Sequence, residues 1–216
     1  ESGAEVIAFE LIIGECMGIV SRNGIGIRIP LPVGSPWYVM VELAAAHPSV
    51  PLREMLEDTL AAGAEAEEVL DAAIAENEAQ RAMIWRIRED WPDCGRREAP
   101  SINTDTAVPV SAVPAFCARV EAALAERWPE GRLIAIGHAG DGNIHVSLMA
   151  PRGTDYASWS ARAAGAEEIV NAIAVDLGGS FSAEHGIGQS KRHAMATHKD
   201  PVALELMRAV KAVIDP

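Results

Sequence analysis

Residues 137–145 read GHAGDGNIH and stand between two apolar runs of strand length, LIAI at 133–136 and IHVSLM at 144–149. Asp141-Gly142 is a strong hairpin signal. With those two as the central turn residues, Gly140 faces Asn143, Ala139 faces Ile144, and His138 faces His145. Directly opposed residues share a sheet face, with Cβ atoms about 4.5–5.5 Å apart. Two imidazoles so placed can grip one metal ion at about 2.0–2.1 Å each. In this register Ile134, Ile136, Ser147 and Met149 lie on the histidine face. Leu133, Ala135, Ile144, Val146 and Leu148 form an apolar opposite face that calls for helices. The competing reading is a pair of hydrogen-bonded core histidines on a buried hairpin.

Downstream, residues 182–188 read SAEHGIG, with Gly178-Gly179 just before them. Glycines let backbone approach a ligand or take positive φ. Alone, Glu184-His185 suggests a solvated loop. Downstream of the histidine hairpin, Glu184 completes a two-histidine, one-carboxylate set with open coordination positions, and the expected metal ligands are His138, His145 and Glu184.

GHAGDGNIH followed some forty residues later by SAEHGIG resembles the C-terminal domain of FAD-linked oxidases of the vanillyl-alcohol-oxidase type. Within that group it is similar to the D-2-hydroxy-acid dehydrogenases (D-lactate dehydrogenases among them) and the glycolate-oxidase large subunit. The resemblance covers most of residues 1–216. It takes in WYV from Trp37 on to Leu43, IWRIRE at 84–89, VPVS at 108–111 and the end at 211–216. It implies a ferredoxin-like cap whose partner is the protein's own FAD-binding domain, a 2-hydroxy acid as substrate, and a divalent metal, zinc by donor type. The roles it implies are His185 as the base for the hydroxyl proton, Arg88 as the holder of the substrate carboxylate, and Asn143 and Gly186 as cofactor contacts. On spacing alone Arg88 is a cation at a helix C-terminus, favoured by roughly 0.3–1 kcal/mol; a guanidinium fork also suits a carboxylate.

Two positions depart from the pattern. Relatives that act on dicarboxylic hydroxy acids carry lysine where this chain has Asn103, and often asparagine where it has Ser147. Both are expected at the substrate. An amide offers no full charge for a second carboxylate, so a monocarboxylate is the expected preference unless Arg86 or Arg97 supplies the missing cation.

The net charge of −13, from 18 basic and 31 acidic residues, argues against nucleic acid and gives no basic patch for anionic lipid. Three scattered cysteines, Cys16, Cys94 and Cys117, suit a reducing cytoplasm better than a disulfide framework. No apolar run reaches the roughly 18 residues of a membrane helix. The chain opens at Glu1 within an apolar pattern, so a fragment lacking its FAD-binding domain is expected, colourless and inactive by itself. Asn23-Gly24-Ile25-Gly26 lacks the third glycine of a dinucleotide loop.

The pattern predicts a strand at 4–13 running into a helix near 14–20, a strand at 37–43, and a helix from about 51 to Gly63. A long alanine-rich helix follows over 65–90, stopped by Pro92. Then come a polar loop at 93–107, a short strand at 108–111, a helix to about 128, the hairpin, one helix over 155–177, and a last helix from Pro201. The fold class is α+β, an antiparallel sheet with helices packed on one face. Besides the flavin-dependent oxidoreductase, two readings remain: a zinc hydrolase with His185 or Asp141 as base, and a non-catalytic metal-binding or oligomerisation module. A homodimer is a further candidate; the electron acceptor is left open.

Overall fold

In the computed structural model, which describes residues 4–215, six antiparallel strands make one open sheet. Pro216, the last residue of the C-terminal block, lies outside the described residues. β1 (Ala4–Ile13) pairs with β2 (Trp37–Ala45), and β5 (Arg132–His138) with β6 (Asn143–Met149). Two short strands, β3 (Ser101–Asn103) and β4 (Thr106–Ala107), both pair with β6. The order is β2-β1-β5-β6-β3, with β4 beside β3 on β6. This is the expected α+β class.

The hairpin register differs from the predicted one by two residues. His138 pairs with Asn143 and Ile136 with His145, so the loop is Ala139 to Gly142, four residues rather than two. Tertiary contacts select the longer loop. Gly140 N–H donates to the Phe9 carbonyl at 3.1 Å, and the Gly142 carbonyl accepts from Val108 N–H at 3.0 Å. Gly142 has φ +80°, and a Cβ there would lie 1.9 Å from the Val108 carbonyl oxygen. Side chains alternate with a period of two, so an even slip changes partners and preserves faces. His138 and His145 therefore still share one face, as diagonal neighbours.

The apolar face carries helices α5 (Val113–Arg127) and α7 (Ala166–Asp176), whose Leu124, Ala166 and Val170 meet Val146 and Leu148. On the histidine face, α1 (Gly14–Asn23) and α4 (Trp91–Glu98) sit at the Arg132 end, where Arg132 donates to Glu15 at 3.0 Å and to Glu98 at 2.7 Å. The His138 end is left open, and the site forms there.

Elsewhere local chemistry overrides the pattern. The helix from 51 runs past Gly63 as α2 (Leu52–Glu65), and 66–77 is irregular before α3 (Glu78–Glu89). The long helix over 65–90 does not form: Glu67 takes φ +59°, and the Glu68 and Val69 N–H groups fold back on the Gly63 carbonyl. Leu70, expected on its apolar side, is exposed. Pro92 opens α4 instead of stopping a helix, because proline fits a first turn. The polar loop at 93–107 holds α4, β3 and β4, and 108–111 is followed into a 3₁₀ turn at Val110–Ala112 rather than forming a strand. Gly165, at φ +90°, splits the helix over 155–177 into α6 (Tyr156–Arg162) and α7.

Candidate metal and substrate site

β5 and β6 deliver His138 and His145, and the loop after α7 brings Glu184 and His185 over them. One carboxylate oxygen, Glu184 Oε1, lies 3.2 Å from His145 Nε2, 3.6 Å from His185 Nε2 and 4.0 Å from His138 Nε2. A tetrahedral ion holds its ligand atoms roughly 3.3 Å apart; the His145 and His185 contacts to Glu184 are near that spacing, and the His138 contact is longer. The rings of His145 and His185 stack at 5.2 Å, while His138 stands edge-on to His145 at 6.0 Å.

Each hairpin histidine also has a carboxylate behind it. Glu10 Oε1 is 2.5 Å from His138 Nδ1, and Asp105 Oδ1 is 3.7 Å from His145 Nδ1. The Glu10 carboxylate can only accept, which places a proton on His138 Nδ1 and leaves its Nε2 as a lone pair toward Glu184; His145 Nδ1, farther from its carboxylate, has no hydrogen-bond partner. Metal-ligating histidines are oriented in this way. Burial, then the charge of Arg88, pulls the His145 pKa down, against Asp105 and Glu184. The neutral imidazole, the form that ligates, is favoured.

Asp105, His145, Glu184 and His185 also offer ligand atoms all within 4.8 Å of one another. Asp105 is nonetheless committed elsewhere. Its Oδ2 accepts from the N–H groups of Ala183, Glu184 and His185 at 3.1, 3.2 and 2.9 Å, and from Lys191 Nζ at 3.2 Å. Lys191 Nζ also reaches Ser182 Oγ at 2.9 Å. Burial raises the Asp105 pKa; the His185 N–H and Lys191 outweigh it, and the net shift is downward. Asp105 is thus the peg on which the SAEHGIG loop hangs. His138, expected as a ligand, lies outside this tight group, with its Nε2 4.0 Å from Glu184 Oε1.

Arg88, near the end of α3, donates from Nε to Glu10 Oε2 at 2.8 Å. Its terminal nitrogens make no hydrogen bond among the described residues, so an anion can take the fork. Asn103 and Ser147 are directly opposed across β3 and β6, which puts both predicted substrate residues on the histidine face. Asn143 lies opposite His138, buried, with an Oδ1 that has no partner, a feature suited to a ligand donor. Gly186, at φ +72°, has open space where a Cβ would be. Gly24 to Gly26 follows the C-terminus of α1 and opens no helix, so it has no helix N-terminus with which to hold a pyrophosphate.

Sequence reading passed over Glu10, Asp105 and Lys191. The signal for Glu10 was a carboxylate between Phe9 and Leu11 in a strand otherwise apolar but for Glu5, and folding leaves it 2% exposed.

Together these elements define an α+β domain that presents a cluster of histidines and carboxylates beside an arginine with free terminal nitrogens. The chain belongs to the family described as FAD linked oxidases, C-terminal domain, which it matches over residues 1–216. It is 31% identical over 215 residues to the D-2-hydroxyglutarate dehydrogenase of Stutzerimonas stutzeri, covering 98% of this chain and 45% of that protein. It is 32% identical over 211 residues to that of Xanthomonas citri pv. viticola, with 97% and 43% covered. The mitochondrial D-2-hydroxyglutarate dehydrogenase of Rattus norvegicus is 32% identical over 219 residues, with 99% and 38% covered. The chain thus spans less than half the length of these curated relatives. No helix among the described residues is long and apolar enough to cross a membrane.

Proposed function

We propose that this chain is the substrate- and metal-binding part of a flavin-dependent D-2-hydroxy-acid dehydrogenase. The observation that carries the reading is the convergence of three histidine Nε2 atoms on Glu184 Oε1, beside the open fork of Arg88. When bound, a divalent metal supplies Lewis acidity that lowers the pKa of the substrate hydroxyl, and FAD supplies the hydride acceptor. His138, His145 and Glu184 would hold the ion. The Arg88 fork fixes the substrate carboxylate, which orients the Cα–H bond. His185, exposed at the rim, takes the hydroxyl proton on Nε2. Asn143 offers its unpaired acceptor at the ligand, and Gly186 lets the loop approach it. A reducing compartment, cytoplasmic or mitochondrial, suits three buried free cysteines.

Two tests apply to the full-length parent protein. His138→Ala and His145→Ala should each abolish stoichiometric metal by elemental analysis. His185→Ala should keep the metal and lower kcat by about 10²–10⁴-fold. Unchanged metal in both first variants defeats the assignment.

The names of the relatives put D-2-hydroxyglutarate forward as substrate. A monocarboxylate, such as D-lactate or glycolate, is favoured instead by Asn103 and Ser147. Neither arginine that could replace the missing lysine is at hand. Arg86 is spent on the Ile25 and Gly26 carbonyls and on Asp90, and Arg97 on the Asn23 carbonyl. The discriminating measurement is kcat/KM for both acid classes, with and without Asn103→Lys. A parent enzyme that already prefers the dicarboxylates rejects this preference and leaves the reaction class intact.

A further inference from the structure

Glu10 lies in the middle of β1, directly opposite His138 of β5, and is 2% exposed. Each of its two oxygens has a different partner. Oε1 contacts His138 Nδ1 at 2.5 Å, and Oε2 accepts from Arg88 Nε at 2.8 Å. A carboxylate is one rigid, planar group, so turning it toward one partner turns it from the other. Burial of a charge is costly unless paired and hydrogen-bonded, and here both oxygens are satisfied by residues that face the site.

We propose that Glu10 is a positioning residue that couples the two halves of the site, fixing the Arg88 fork with one oxygen and the His138 tautomer with the other. This rests on the reading of His138 as a metal ligand and Arg88 as the substrate-carboxylate holder. Glu10 touches neither metal nor substrate; it acts through the two side chains that do.

An amide cannot replace it. In Glu10→Gln the side chain presents one oxygen and one NH₂. If the oxygen meets Arg88, the NH₂ donates to His138 Nδ1 and drives the proton to Nε2, the atom a metal needs. If the oxygen meets His138, the NH₂ opposes the Arg88 N–H. One partner is lost in either pose.

The test uses the full-length protein. In Glu10→Gln, zinc affinity by chelator competition should fall about 10–100-fold, the range found for partners that orient metal ligands. KM for the 2-hydroxy acid should rise about 10-fold, in line with loss of a charge-assisted hydrogen bond. In excess zinc, kcat should recover while KM stays raised, a split that a merely structural residue would not produce. Glu10→Asp keeps the buried charge but is one methylene shorter, and should rescue one of the two parameters, not both. It also keeps the test decisive if the glutamine variant does not fold. Zinc affinity and KM both at wild-type values in a folded glutamine variant, or both fully rescued by aspartate, overturn the proposal. His138→Ala and Arg88→Ala are the reference variants. If the first leaves zinc and the second leaves KM unchanged, the underlying site reading falls and Glu10 falls with it. If both reference variants behave as expected and Glu10→Gln is silent, the coupling alone is wrong.

Discussion

The loop that carries Glu184 and His185 is held by one buried side chain. Three consecutive N–H groups and an ammonium converge on the Asp105 carboxylate, which is 2% exposed. Hydrogen bonds to a charged group contribute about 1.5–3 kcal/mol each in net terms, and they are not additive. Asp105→Ala should therefore destabilise the chain by about 2–4 kcal/mol, read as a shift in the urea midpoint. It should also release the loop, so the parent protein should lose metal although no ligand has changed. A variant with full metal content and an unshifted midpoint would show that the loop is held elsewhere. The chemistry of single residues was only partly legible in the sequence. His138, His145 and Glu184 were singled out because glycines flagged them, and the structure brings the three near one another. Asp105 was not, because it acts through backbone N–H groups some eighty residues away, nor was Lys191, whose ammonium pairs with that same carboxylate; no local pattern encodes either pairing.

At the scale of elements, the hairpin shows how a register shifted by two residues still keeps both histidines on one face. Asp141-Gly142 looked like a two-residue turn, but Val108 and Phe9 hold the loop at four. The histidine face survives because the slip is even. Gly142→Ala tests this directly. A Cβ at 1.9 Å from the Val108 carbonyl, on a residue at φ +80°, forces backbone to move. The expected loss is roughly 2–4 kcal/mol by urea unfolding, with metal binding impaired because His138 and Asn143 flank the loop. A loss near zero would mean that the turn re-forms without the Val108 contact.

The other end of the same face is tied by Glu98 of α4. Its carboxylate accepts from Arg22 and Asn23 of α1, from Arg132 of β5 and from Arg152 after β6. Burial pushes its pKa up, but these four donors outweigh burial and lower it from 4.5 to about 2. Because the folded value is depressed, the stabilisation is present in full above the unfolded value near 4.5. It is lost as pH falls from there toward about 2. The size of the shift corresponds to about 3 kcal/mol. Glu98→Gln should flatten the decline in stability between those pH values, while leaving the profile above pH 6 parallel to wild type. An unaltered acid limb would exclude Glu98 as its source.

Across the whole molecule, burial is uneven, and this the sequence could not show. Amphipathic spacing in α9 (Pro201–Ile214) predicts a packed stripe, since periodicity reports that a face is apolar, not that anything covers it. In the structure the helix has no buried residue; of the expected stripe of Leu204, Met207, Val210 and Ile214, the last three are exposed, Ile214 at 78%. What starts it is local: the Asp200 side chain accepts from Ala203 N–H at 2.9 Å, and Pro201 occupies the first turn. A cap contributes about 1 kcal/mol to the helix, and an isolated helix of this length is marginal in water. The core, by contrast, closes without α9 through Phe116, Ile134, Ile144 and Trp159, each at 0% exposure. Ending this chain after Asp200 should thus cost less than about 1 kcal/mol of stability by urea unfolding. The same reasoning requires amide hydrogens in α9 to exchange at nearly unprotected rates while those of β5 and β6 are protected to the level of global unfolding. A truncation that costs 2 kcal/mol or more, or slow exchange along α9, would show that the helix is packed in solution and that this exposed stripe is covered.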